Sequence, residues 1–183
     1  MKRVRLVFSG SGGQGVITAA IILAEAAVIV EGLNATQSQS YGAAARGGST
    51  RTDIIISEEE INFPGVTSPN ILVCLTQEAY NQYAAIIRPG GLLLTDSRYV
   101  KTAKKTDAKH IELPLYDTVM ERIGKPIVYN ITMLGALIGI TNIVRPESVL
   151  EILKERIPPD FLAMNQRALD LGLVLGAQYQ YTI

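Results

Sequence analysis

The sequence predicts an α/β fold built on a mostly parallel sheet with helices packed against it. Three observations carry this: a short apolar run leading through a cluster of glycines into a long apolar helix, a later alternation of buried strands with helical segments, and a closing series of helices.

The first unit is Val4-Arg5-Leu6-Val7-Phe8, which has the length and β-branched character of a buried strand. It is followed by Gly10-Ser11-Gly12-Gly13-Gln14-Gly15 and an apolar helix over 16–31. Strand, glycine loop and helix form the layout of a phosphate cradle. Glycines there permit positive φ and close backbone approach, while the free N–H groups of a helix start point partial positive charge into the loop. Gly32 stops the helix, and 33–36 is a short second strand. Residues 37–49 hold polar uncharged side chains, Tyr41 and several glycines without hydrophobic periodicity, and read as a loop built for contacts. The stretch 51–57 is strand-like, 58–60 is a turn, and Ile61-Asn62-Phe63-Pro64 returns as its partner, giving a β-hairpin insertion.

Alternating units resume after Pro69. A buried strand over 70–75, a helix over 77–87 stopped by Pro89-Gly90-Gly91, and a strand over 92–96 imply parallel pairing through right-handed crossovers. An edge strand follows over 109–113, ended by Pro114, and the remainder is helical: 115–123, 130–141, 146–156 and 160–175. In the third of these helices Val149, Leu150, Leu153 and Ile157 share one face, and Pro146 suits the first helical position. Gly135 and Gly139 lie one turn apart, which lets a neighbouring element approach closely. The expected architecture is a Rossmann-like three-layer fold, one domain over residues 1–183, with a helical C-terminal part.

Composition removes several function classes. The 183 residues carry 17 basic and 17 acidic side chains, and lysines gather only over 101–109, so nucleic-acid and membrane-surface binding are disfavoured. Cys74, the only cysteine, sits inside Ile71-Leu72-Val73-Cys74-Leu75 as a small buried hydrophobe, and neither a disulfide framework nor an iron-sulfur cluster can be built from it within the chain. The glycines at 10, 12, 13 and 15 interrupt the apolar run behind Met1-Lys2-Arg3, so no export signal is read, and no segment reads as a membrane span. A cytoplasmic location is expected.

Gly10, Gly12 and Gly15 satisfy the dinucleotide fingerprint G-x-G-x-x-G in the right strand and helix context. The acid that should follow the second strand to hold ribose hydroxyls is missing, because the chain there reads Thr36-Gln37-Ser38 and Glu31 lies back on the helix end. That weighs against NAD or FAD, and no Gly-Lys-Ser/Thr follows to make a P-loop. The plain alternative is that the glycines only permit a tight turn and close helix-sheet packing. Arg46-Gly47-Gly48 is either a second anion-reading element or a surface loop with an incidental arginine. His110, beside Lys109, reads as structural or solvent-facing, and Glu58-Glu59-Glu60 as a solvated turn. No catalytic residue and no metal ligand is assigned. A well-formed α/β core without an evident nucleophile or base suggests part of an enzyme.

In order along the chain, Gly10-x-Gly12-Gly13-Gln14-Gly15, the Thr18-Ala19-Ala20 start of the helix, Ser40-Tyr41-Gly42-x-x-x-Arg46-Gly47-Gly48 and Pro89-Gly90-Gly91 resemble the gamma subunit of 2-oxoacid:ferredoxin oxidoreductases. Asn130 and the Gly135 helix fit the later part of that pattern. The Ser-Tyr-Gly form is more similar to the pyruvate, branched-chain and 2-oxoglutarate members than to the indolepyruvate branch, and the short chain without cysteine clusters is most similar to the 2-oxoglutarate type. The resemblance implies oxidative decarboxylation of a 2-oxoacid to an acyl-CoA, with electrons passed to ferredoxin by a complex of alpha, beta, gamma and delta subunits. It places thiamine diphosphate, magnesium and the iron-sulfur clusters in the partner subunits. For this chain it implies architecture and the positioning of coenzyme A, with no cofactor bound firmly by the chain itself, and with Gly10, Gly12, Gly13, Gln14, Gly15, Ser40, Tyr41, Arg46, Gly47 and Gly48 as the binding residues. Two alternatives stay open: a free-standing nucleotide-binding enzyme and a purely structural interaction subunit. A homodimer is expected to be accessible to the isolated chain.

Overall fold

The computed structural model describes residues 3–40, 49–103 and 106–183. Its centre is a six-stranded sheet made of β1 (Arg3–Gly10), β2 (Asn34–Ser40), β3 (Thr50–Ser57), β4 (Ile71–Cys74), β5 (Gly91–Asp96) and β6 (Ala108–Leu113) in the order β2-β3-β1-β4-β5-β6. β1, β4, β5 and β6 run parallel, whereas β3 lies antiparallel between β1 and β2.

Each central strand is buried on both faces, and alternate residues supply two separate cores. Leu6, Phe8, Ile54, Ile56, Ile71, Val73, Leu92 and Leu94 face the larger core, under α1 (Val16–Glu25), α3 (Leu115–Arg122), α4 (Tyr129–Thr141), α5 (Pro146–Arg156) and α6 (Pro159–Gly176). Val7, Ile55, Leu72, Cys74 and Leu93 face the smaller one, which α2 (Gln77–Tyr83) covers with Ala79 and Tyr80. Two helical layers thus enclose the sheet. Thr76 caps α2 by accepting from the Ala79 N–H at 3.2 Å.

The apolar helix runs on past α1 as a π-helical turn, Ala26–Val30, and Gly32 ends it with φ 68°. Glu31 then accepts from the Arg145 N–H at 2.6 Å and from Ser148 Oγ at 2.8 Å, serving as the cap of α5 from a distant element. α4 is buried at every position except Gly139 because it is sandwiched between α1, α3 and α6. Gly135 and Gly139 meet Gly172 and Gly176 of α6, and a Cβ at any of the four would collide with backbone of the facing helix. Close approach is the reason for glycine at these positions.

One expected element is corrected. Residues 61–64 form no strand, and the antiparallel partner of β3 is β2, paired from Asn34 opposite Ser57 to Ser40 opposite Arg51. The second strand is accordingly longer than 33–36 and takes up part of the stretch expected to be loop. Residues 58–66 instead cross beside the sheet. There Asp53 accepts from the Val66 N–H at 3.0 Å, and Arg51 donates to the Val66 carbonyl at 2.5 Å while pairing with Asp53 at 2.6 Å.

Candidate functional site

The glycine loop closes the C-terminal end of β1, between the antiparallel arm of the sheet on one side and β4 on the other. The helix after β1 covers one face and the helix after β4 covers the opposite face, so the loop stands where chain direction diverges. In open α/β sheets this is where ligands bind. Gly10 pairs with Thr50 and Ser40 pairs with Arg51, which puts the end of β2 at the same margin of the sheet.

Within the loop, Gln14 folds back so that its Oε1 accepts from the Ser11 N–H at 2.8 Å, and its own N–H donates to the Ser11 carbonyl at 3.3 Å. Gly15 opens α1 with φ 72° and no side-chain cap, and no acidic residue lies in the first turn. The positive end of that helix is therefore not offset locally by a carboxylate. Asn130 Nδ2 donates to the Gly15 carbonyl at 3.2 Å, and a Cβ on Gly15 would stand 2.6 Å from that nitrogen. Gly12 and Gly13 are different: a Cβ on either would meet nothing within 4 Å among the described residues. Packing explains Gly15, but it does not explain the middle of the loop.

Gly13 borders a cavity of about 390 Å³ that is also lined by Gln14, Gly15 and Thr18, by Ile127, Asn130 and Ile131 around the start of α4, and by Ile157, Phe161, Met164 and Asn165 around the start of α6, with Gly12 just outside it. Its walls are mostly apolar, with polar groups from Gln14 and Thr18 on the loop side and from Asn130 and Asn165 on α4 and α6, a form suited to an amphiphilic molecule with its anionic end at a helix start.

Of the sequence-predicted residues, Gly10, Gly12, Gly13, Gln14 and Gly15 come together here, with Ser40 in the backbone of the same sheet margin. Tyr41, Arg46, Gly47 and Gly48 lie outside the described residues. Cys74 is buried in the smaller core, and desolvation pushes its thiol up to about 12. His110 Nε2 lies 2.8 Å from Thr95 Oγ1 on the β6 edge, with burial lowering its pKa. Among the described residues no group of three or more His, Cys, Asp and Glu side chains gathers as a metal site. No helix of the described residues is long and apolar enough to cross a membrane.

Sequence reasoning missed two contacts. One is Asn130 as the partner of Gly15, whose signal is a polar side chain at the head of an otherwise apolar helix. The other is Asp96 at the end of β5, fully buried, which accepts from the Arg98 N–H at 2.8 Å, the Tyr116 N–H at 2.9 Å and the Tyr129 hydroxyl at 2.7 Å. Desolvation raises its pKa against the pull of these donors. The carboxylate ties β5, α3 and α4 together beneath the cavity's α4 wall.

A family model described as pyruvate ferredoxin/flavodoxin oxidoreductase matches residues 5–175. The chain belongs to this family. It is 43% identical over 173 residues to the 2-oxoglutarate synthase subunit KorC of Methanocaldococcus jannaschii, covering 93% of this chain and 91% of that one. Among solved structures, the keto/oxoacid ferredoxin oxidoreductase gamma subunit from Geobacter sulfurreducens matches with a TM-score of 0.89 at 36% identity, over 97% and 98% of the two chains. The 2-oxoglutarate:ferredoxin oxidoreductase from Magnetococcus marinus, 24% identical, shares the fold at a TM-score of 0.87 over 97% of this chain and 32% of that one. Membership in the pyruvate ferredoxin/flavodoxin oxidoreductase family, the mostly parallel α/β fold and the kinship with gamma subunits are what the ordered glycine motifs led one to expect.

Proposed function

We propose that this chain, as one domain over 1–183, is the gamma subunit of a multi-subunit 2-oxoacid:ferredoxin oxidoreductase of the 2-oxoglutarate type. The observation that carries the reading is the end-to-end likeness to 2-oxoglutarate synthase subunits together with the likeness to a gamma-subunit structure of nearly equal length. Alpha, beta and delta subunits are its partners and ferredoxin takes the electrons. Thiamine diphosphate, magnesium and iron-sulfur clusters belong, on this reading, to those partners. The location is cytoplasmic.

Within that assembly the chain holds one end of coenzyme A. A phosphate fits the open side of Gly12 and Gly13 at the uncapped start of α1, and the pantetheine arm fits the apolar cavity beyond. Gly10, Gln14 and Gly15 shape the loop, with Ser40, Tyr41, Arg46, Gly47 and Gly48 completing the contacts from the segment after β2. Gly12→Asp tests this directly, since among the described residues nothing lies within 4 Å of a Cβ at Gly12, while a carboxylate there repels a phosphate. In the assembled complex the KM for coenzyme A is expected to rise roughly tenfold, equal to about 1.4 kcal/mol, with the KM for the 2-oxoacid unchanged. An unchanged KM for coenzyme A removes the loop from coenzyme binding and leaves a structural subunit.

A further inference from the structure

We propose that the outer edge of β2 docks a second copy of this chain, the two sheets joining antiparallel across a two-fold axis into one continuous sheet. The argument starts from how differently the two edges of the sheet are treated. An exposed edge strand offers unpaired backbone groups, and natural proteins guard it with charge, proline, bulges or covering segments. β6 is guarded: Lys109, His110 and Glu112 are exposed along it, and the Lys109 ammonium donates to the Gln180 carbonyl of the C-terminal tail. β2 reads Asn34-Ala35-Thr36-Gln37-Ser38-Gln39-Ser40, with neither charge nor proline, and among the described residues no strand pairs with its outer side.

The surroundings of β2 are shaped for a strand. A groove of about 260 Å³ is lined by Val28, Leu33, Ala35, Thr36, Glu60 and Ile61. Leu33 and Ala35 pack toward the larger core and Ile61 toward the smaller one. The sheet separates those cores, so a groove walled from both sides lies past its margin, at β2. Strand addition is the binding mode such an edge serves.

A second copy fits better than a foreign strand. Antiparallel pairing centred on Gln37 sets Thr36 opposite Ser38 and Ala35 opposite Gln39 of the other copy, with Gln37 opposite itself. Neither strand carries a charged residue, and Thr–Ser pairs are favourable cross-strand neighbours. The same axis brings the ends of both α1 extensions to one side of the joined sheet. Val28 and Ile29 there are 44% and 60% exposed, an apolar patch that a lone peptide would leave largely in water and that a two-fold copy covers with its own.

Sedimentation equilibrium of the full chain tests this. Twice the chain mass is expected, with Gln37→Lys and Ile29→Lys each weakening association roughly tenfold or more by setting ammonium groups against one another or into the apolar patch. Val174→Lys, on the exposed side of α6, leaves the dimer intact. Gln37 also donates to Thr52 Oγ1 at 2.7 Å, so circular dichroism checks its variant, and Ile29→Lys carries the test if that variant unfolds. Amide exchange in β2 is expected to slow as chain concentration rises. A monomeric wild type, a dimer that survives both lysine variants, or β2 protection that comes only from a different subunit would each overturn the proposal.

Discussion

Asn130 and Gly15 share one small space: the asparagine amide donates to the Gly15 carbonyl at 3.2 Å and occupies the position where a Gly15 side chain would have to sit. The contact joins the head of α4 to the head of α1 and so fixes the glycine loop relative to the cavity's far wall. Gly15→Ala adds a steric conflict to a left-handed φ of 72°. A loss of about 1–3 kcal/mol in urea unfolding is expected. Asn130→Ala leaves φ untouched and loses one hydrogen bond, so a smaller cost of about 1 kcal/mol is expected.

The α4–α6 crossing sets two effects against each other. Alanine is favoured over glycine inside a helix by about 1 kcal/mol. A Cβ on Gly172, however, collides with the Thr132 carbonyl and crowds the Ala136 N–H. Overpacking of that kind costs about 1–3 kcal/mol, and backbone has nowhere to yield between two packed helices. Gly172→Ala is therefore expected to lower the melting temperature, whereas propensity alone predicts a rise.

Glu31 and Arg156 separate a half-buried capping carboxylate from a more exposed ion pair. Glu31 holds the Arg145 N–H and Ser148 at the start of α5, so Glu31→Ala is expected to cost about 1 kcal/mol. Arg156 pairs with Glu25 with both side chains partly in water, and Arg156→Ala is expected to cost less than about 1 kcal/mol, and less again in high salt. Paired urea titrations at low and high salt measure both.

Burial of Asp96 gives a pH dependence whose sign can be worked out. Its folded pKa is raised, so the folded state binds this proton more readily than the unfolded chain does. Its contribution is fully present below the ordinary carboxylate pKa and is lost as pH rises through the raised value. Tyr129→Phe removes one donor that lowers this pKa, so the fall with pH should shift upward, with stability at neutral pH reduced by about 1.5–3 kcal/mol. Asp96→Asn should abolish this part of the pH dependence. Urea unfolding across the acid range reads both.

The elements legible in the sequence are those whose apolar residues are continuous or periodic. β1, β4 and β5 read as buried runs, α5 shows its face, and Gly135 with Gly139 announces a close neighbour, helix or strand, which the structure shows to be α6. The first half of β2 is legible as the short strand over 33–36, but its continuation from Gln37 to Ser40 is obscured because it lies at an edge and lacks the alternation that marks a half-buried strand, while Ile61-Asn62-Phe63-Pro64 carries strand-forming residue types without forming a strand. The loop half of the candidate site could be read because glycines at a strand-helix junction have a direct backbone meaning. Its other half could not, since Asn130, Phe161 and Met164 reach the loop only through the packing of α4 and α6 against α1.

The central claim is tested most directly by ferredoxin reduction in a reconstituted complex, with 2-oxoglutarate and coenzyme A as substrates. Purified alone, the chain is expected to show no activity, and adding it to the proposed alpha, beta and delta partners is expected to restore coenzyme A-dependent turnover that the complex lacks without it. Equal turnover with and without this chain, or oxidation of 2-oxoglutarate by this chain alone, would contradict the account.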